Sequence, residues 1–101
     1  MIVDVSGTAV ALLNPDDCAR FHVRVPPDMP GEQLEGVLAG NGAGIPAGAD
    51  HVAVTISWLR SSAHDVAGDW NDRFEKMLAY AGTKGWLTDD GAAVLGHVTH
   101  H

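Results

Sequence analysis

Three histidines stand in segments whose side chains alternate in character. From Arg20 to Val25 the apolar Phe21, Val23 and Val25 are interleaved with His22 and Arg24, and from His51 to Leu59 the apolar Val52, Val54, Ile56 and Trp58 are interleaved with His51, Ala53, Thr55 and Ser57. Toward the C-terminus Val94 and Val98 alternate with Leu95, His97 and Thr99. A period of two sends alternate side chains to opposite faces of a strand, so His22, Arg24, His51, Thr55, Ser57, His97 and Thr99 are expected on one polar sheet face. Imidazoles there suit acid or base work near neutral pH, and a guanidinium suits an anion. His22, Arg24, His51, Ser57 and His97 are therefore the candidate ligand-binding residues. Such a face has three uses: it is simply solvated, it packs on a second copy of the chain, or it lines a polar ligand cleft.

Other constellations are weaker. His97, His100 and His101 have enough imidazoles for an open tetrahedral metal site, but positions 97 and 100 of a strand point to opposite faces. No metal and no other cofactor is expected. Cys18 and His22 lie four apart with Asp16 and Asp17 just upstream, which collects a thiol, a base and a carboxylate. A nucleophilic thiolate needs neighbouring positive charge, whereas two Asp raise a thiol's pKa, so Cys18 reads as a small half-buried hydrophobe. The run Gly40-Asn41-Gly42-Ala43-Gly44 resembles a phosphate loop in composition only, since it follows a helix and lacks the Lys-Ser/Thr ending. Asp69 with Arg73 and Asp72 with Lys76 are spaced as helix ion pairs, and Asp89-Asp90-Gly91 reads as a turn, so no catalytic acid pair is indicated. Trp58, Trp70 and Trp86 read as core, because no basic residues interleave with them to make a stacking platform.

The elements that must hold these residues follow from turn and cap signals. Ile2 to Val5 and Thr8 to Leu13 flank Ser6-Gly7 and form either a tight hairpin or one strand with a bulge. Asn14-Pro15-Asp16-Asp17 is a turn, and Pro26-Pro27 ends the strand that carries His22 and Arg24. Asp28 as N-cap, Pro30 in the first turn and a Leu34, Val37, Leu38 stripe predict a short helix ending at Gly40. Gly40 to Asp50 reads as a surface loop and His51 to Leu59 as the clearest strand. Ser62 caps a longer helix with Val66, Trp70, Phe74, Met77, Leu78 and Ala81 on one stripe, stopped by Gly82 and Gly85. Ala92 to Thr99 makes a last strand that Gly96 weakens.

The whole chain, 101 residues with 46% hydrophobic and 19% charged, suits a single domain spanning 1–101. One cysteine allows no internal disulfide, no export signal is visible and no apolar run reaches membrane-spanning length, so a cytoplasmic protein is expected. Thirteen acidic residues against six scattered basic ones, a net charge of −7, exclude a nucleic-acid phosphate backbone as partner. The fold class expected is α+β: a two-layer sandwich, nearest to a ferredoxin-like plan, with two helices on one face of a sheet. The leading functional reading is a noncatalytic binding module acting as a homodimer. The alternative is a small enzyme or ligand-binding protein with a His-lined cleft, in which Arg24 holds an anion.

Overall fold

The structure is a computed structural model and describes residues 1–100. Six strands and three helices follow in the order β1 (Ile2–Val5), β2 (Val10–Leu13), β3 (His22–Val25), α1 (Gly31–Asn41), β4 (Gly44–Pro46), β5 (His51–Thr55), α2 (Ile56–Ser62), α3 (Trp70–Thr83) and β6 (Ala93–His100). The strands form one sheet in the order β2-β1-β3-β6-β5-β4. β1 pairs antiparallel with β2 and parallel with β3, β3 runs parallel to β6, and β5 is antiparallel to both β6 and β4. This mixed α/β sheet curls as it crosses the molecule, bringing α2 against both β5 and β2. Three helices and six strands replace the expected two-helix sandwich, and the βαββαβ order of a ferredoxin-like plan is not that of this chain.

The first two strands resolve the hairpin-or-bulge alternative in favour of the hairpin, closed by Ser6 N–H donating to Ala9 O at 2.9 Å. Val3 and Val5, Val23 and Val25, Val52 and Val54, and Val94 put the buried face of the sheet into one core. Leu38 of α1, Leu59 of α2 and Trp70, Phe74, Leu78 and Ala81 of α3 close over it. Phe74 is fully buried and stacks on Trp70 with ring centroids 4.7 Å apart. A buried side chain of this class contributes about 1.5–3 kcal/mol, so the α3 stripe is a principal clamp on the sheet.

Two expected boundaries move. The strand from His51 ends at Thr55, and Ile56 to Ser62 coil into α2 instead of continuing to Leu59. Leu59 buries completely from that helix, while Ile56 and Trp58 pack beside the core. The longer helix begins at Trp70, so Ser62 closes α2 rather than capping α3, and Asp65 sits at a positive φ of 56° in the connection. Asp69 and Arg73 still form the expected pair four apart, at 3.3 Å.

The glycine-rich segment is not a plain loop. Gly42, in the left-handed conformation at φ 66°, ends α1 while Ala43 N–H donates to Leu38 O at 2.9 Å. The chain then adds β4 to the sheet. A Cβ on Gly44 would lie 2.1 Å from Ala53 O, so only glycine lets β4 reach β5. At Gly96 a Cβ would lie 2.8 Å from Val23 Cγ2 and 3.0 Å from Phe21 Cε2. Gly96 therefore does not weaken β6; it makes room for Phe21 at the entrance to β3. Among the described residues no helix is long and apolar enough to cross a membrane, and the Cα radius of gyration, 12.7 Å, is that of one compact unit of this length.

Candidate functional site

Register places the candidate histidines in one row. Ile2 is opposite His22, His22 opposite His97, and His97 opposite His51, across β1, β3, β6 and β5. Residues directly opposed across paired strands share a face, so the three imidazoles belong to one surface. His51 and His97 are in contact, their ring centroids 5.4 Å apart at an interplanar angle of 76°. Arg24 lies on the same face, but its Nε donates to Asp4 Oδ1 at 2.7 Å, which already gives the guanidinium an anion. Thr99 Oγ1 donates to Val23 O at 3.4 Å. Ser57 leaves the sheet with α2, where it is exposed and only its carbonyl is used, accepting from Ser61 Oγ at 2.9 Å.

Beside this row opens a cleft of about 580 Å³. One wall is the segment Cys18, Ala19 and Phe21 leading into β3. Met77, Tyr80 and Ala81 of α3 and the following Trp86 make the opposite wall. Val94, Leu95 and His97 of β6, with His51 of β5, complete the lining. The cleft therefore has an aromatic and aliphatic body with a few polar groups, the two imidazoles together with the Tyr80 and Cys18 side chains, the usual make-up of a small-molecule pocket. Its size is within the ordinary range for such sites.

The walls are fixed from behind. Trp70 Nε1 donates to Pro15 O at 2.7 Å, and Arg73 Nη2 donates to Asp16 Oδ1 at 2.7 Å, tying α3 to the turn before Cys18. Arg73 Nη1 also donates to Asp16 O, and Ala67 N–H donates to Asp16 Oδ1 at 3.1 Å. The Ala67 amide, and then the Arg73 guanidinium, hold the Asp16 carboxyl below its ordinary value. On the far side Leu95 N–H donates to Trp86 O at 2.6 Å, fastening the Trp86 segment along β6. Tyr80 is 57% exposed and Trp86 44%, and their rings meet edge to face at 5.9 Å on the rim.

Cys18 is half-buried and lines the cleft, with Sγ 3.8 Å from Pro15 O as a weak donor. Burial pushes the thiol above its ordinary value, and the opposing charge of Arg73 is outweighed. A thiol in that state is protonated at neutral pH and a poor nucleophile. The other grouping singled out earlier, His97 with His100 and His101, extends to a residue outside the described ones. Among the described residues, no three His, Cys, Asp or Glu side chains gather closely enough to hold a metal ion.

The sequence pointed to His51 and His97 but not to the body of the cleft. Phe21 reads as an ordinary inward strand residue, Trp86 as core and Met77 as part of the apolar stripe of the longer helix, while Tyr80 lies off that stripe. No local pattern joins them, because the walls come from four stretches far apart in the chain. Comparison with known proteins gives no match to any family model, curated sequence or solved structure.

Proposed function

We propose that this protein is a noncatalytic binding module whose cleft takes a small molecule built around an aromatic ring, with a hydrogen-bonding group turned toward His51 and His97. The single observation that carries this is the cleft's composition: aromatic and aliphatic side chains form its body, and two touching imidazoles join the Tyr80 and Cys18 side chains as the polar groups of its lining. Aromatic rings gain from edge-to-face and offset contacts with Phe21, Tyr80 and Trp86, each good pair adding about 0.5–1.5 kcal/mol beyond area burial. An imidazole donates or accepts, so it orients a phenol or a carboxylate equally well. The protonated state of Cys18 favours binding over nucleophilic catalysis.

The reading is tested by following tryptophan fluorescence, to which Trp86 on the cleft wall contributes, while titrating phenols and aromatic carboxylates. Saturable quenching in the wild type that is lost in Ala19→Phe supports it, because Ala19 is exposed on the wall and a larger side chain that adds no tryptophan signal fills the cleft without entering the core. Equal quenching in Ala19→Phe overturns it.

Self-association is a second reading, favoured by the exposed Tyr80 and Trp86 pair on the rim. Aromatic side chains are enriched at protein interfaces. A homodimer joined there covers the mouth of the cleft, and light scattering after size-exclusion chromatography separates the two readings: a dimer that persists in the wild type and dissociates in Trp86→Ser favours association.

A further inference from the structure

We infer that His51 and His97 form a two-imidazole binding site for a borderline divalent transition metal of the zinc, nickel or copper type. Val98 N–H donates to Asp50 O at 2.7 Å and Ile56 N–H to Ala92 O at 2.9 Å, which makes those residues the hydrogen-bonded pairs of the β5–β6 ladder. His51 and His97, one step inside the first of them, fall at a non-hydrogen-bonded position, where opposed side chains approach most closely.

The separation of the rings fits the metal. A metal–imidazole nitrogen bond is about 2.0–2.1 Å, so two rings that share one ion have their centres roughly 5 Å apart. The observed distance is 5.4 Å. The final torsion of a histidine is broad, so the present edge-to-face arrangement converts to one with both nitrogens converging by turning the rings, with the strands left in place. His97 is exposed and His51 half-buried, which leaves a path for the ion and positions for water on its outer side. A net charge of −7 raises the local concentration of cations.

Imidazole nitrogens select zinc, nickel and copper over magnesium and calcium, which prefer oxygen ligands. With two protein ligands, the remaining coordination positions are filled by water or by a donor from a molecule in the adjoining cleft. The site does not depend on the cleft being a ligand pocket: both histidines project from paired strands whatever occupies it. Only neutral imidazole ligates, so loading falls in acid.

The test is a Zn2+ titration of the chelator-treated protein at pH 7.5, read by calorimetry and by the NMR signals of the histidine ring protons. The expected result is one equivalent bound, with the His51 and His97 rings shifting together. His51→Gln and His97→Gln are each expected to weaken binding at least tenfold, while a His100→Gln, His101→Gln double variant binds like the wild type. Backbone NMR spectra that match the wild type show that the Gln variants are folded. Wild-type affinity in folded His51→Gln, or loss of binding in the terminal double variant, assigns the metal to the chain end and overturns the proposal. Zinc binding by a protein whose cleft takes no aromatic probe sustains this site while removing the reading of the cleft, and the converse result does the reverse.

Discussion

Trp70 reaches from the first turn of α3 to Pro15, its indole nitrogen donating to the Pro15 carbonyl at 2.7 Å across 55 residues of sequence. That bond joins the two walls of the cleft, because Pro15 leads into Cys18 and Ala19 while Trp70 begins the helix that carries Met77, Tyr80 and Ala81. Removing the bond therefore loosens both the fold and the site. Trp70→Phe leaves the Pro15 carbonyl with only the weak Cys18 thiol donor, and the expected loss is about 1–3 kcal/mol in urea unfolding. Trp70→Ala also opens a cavity beside Phe74 and is expected to cost about 3–5 kcal/mol. Equal stability of Trp70→Phe and wild type would show that the indole donor is not holding the turn.

A second clamp titrates. Asp16 is held below its ordinary value by the Ala67 amide and the Arg73 guanidinium, so the folded state binds this proton less readily than the unfolded chain. Its stabilising contribution is complete above the unfolded carboxylate value, about 3.9, and is lost as pH falls through the lower folded value. Asp16→Asn is expected to flatten that part of the stability curve between pH 5 and the acid transition. Asp90, lowered by the Thr88 hydroxyl and the Ala92 amide, gives a second, separable contribution of the same sign. Parallel acid curves for Asp16→Asn and wild type would contradict the assignment.

The thiol supplies a reporter. Because burial raises Cys18, alkylation by iodoacetamide is expected to be slow at pH 7 and to keep accelerating with pH beyond the range where a free cysteine levels off. An aromatic molecule in the cleft should slow the reaction further, since Cys18 lines the same wall. A rate at pH 7 equal to that of a free thiol would place Cys18 outside the cleft.

Two glycines separate close approach from mere flexibility. Gly44→Ala drives a methyl into the Ala53 carbonyl at a backbone φ of 153°, and is expected to destabilise by about 1–3 kcal/mol and to free β4 from the sheet edge. Gly40→Ala, in α1 with open space around the new methyl, is expected to stabilise by about 0.5–1 kcal/mol. Thermal melts of the two variants moving in the same direction would refute the distinction.

These positions also separate what is local in this fold from what only tertiary packing decides. Alternation from Phe21 to Val25 and from His51 to Thr55 identified real strands, and with them the shared direction of His22, His51 and His97, because a period of two is a local geometric fact. The same alternation continued into Ile56, Ser57, Trp58 and Leu59, yet the chain turns there into a helix that buries Leu59 from a different direction. A short apolar run satisfies both periods, and tertiary packing decides between them. β4 was hidden because Gly44 and Pro46 carry no strand pattern; its place in the sheet rests on the missing Cβ opposite Ala53. The cleft was hidden for a further reason. Phe21, Tyr80, Trp86 and Leu95 meet only after the sheet pairs β3 with β6 and α3 has docked, and no spacing along the chain encodes that meeting.

The most direct test of the cleft as a binding site is an NMR titration with a set of small aromatic compounds on protein labelled at Met, Leu, Phe and Trp side chains. Saturable shifts at Phe21, Met77, Trp86 and Leu95, with His51 and His97 moving for compounds that carry a phenol or carboxylate, are the predicted result. Shifts confined to other surfaces, or none across the set, would contradict the account.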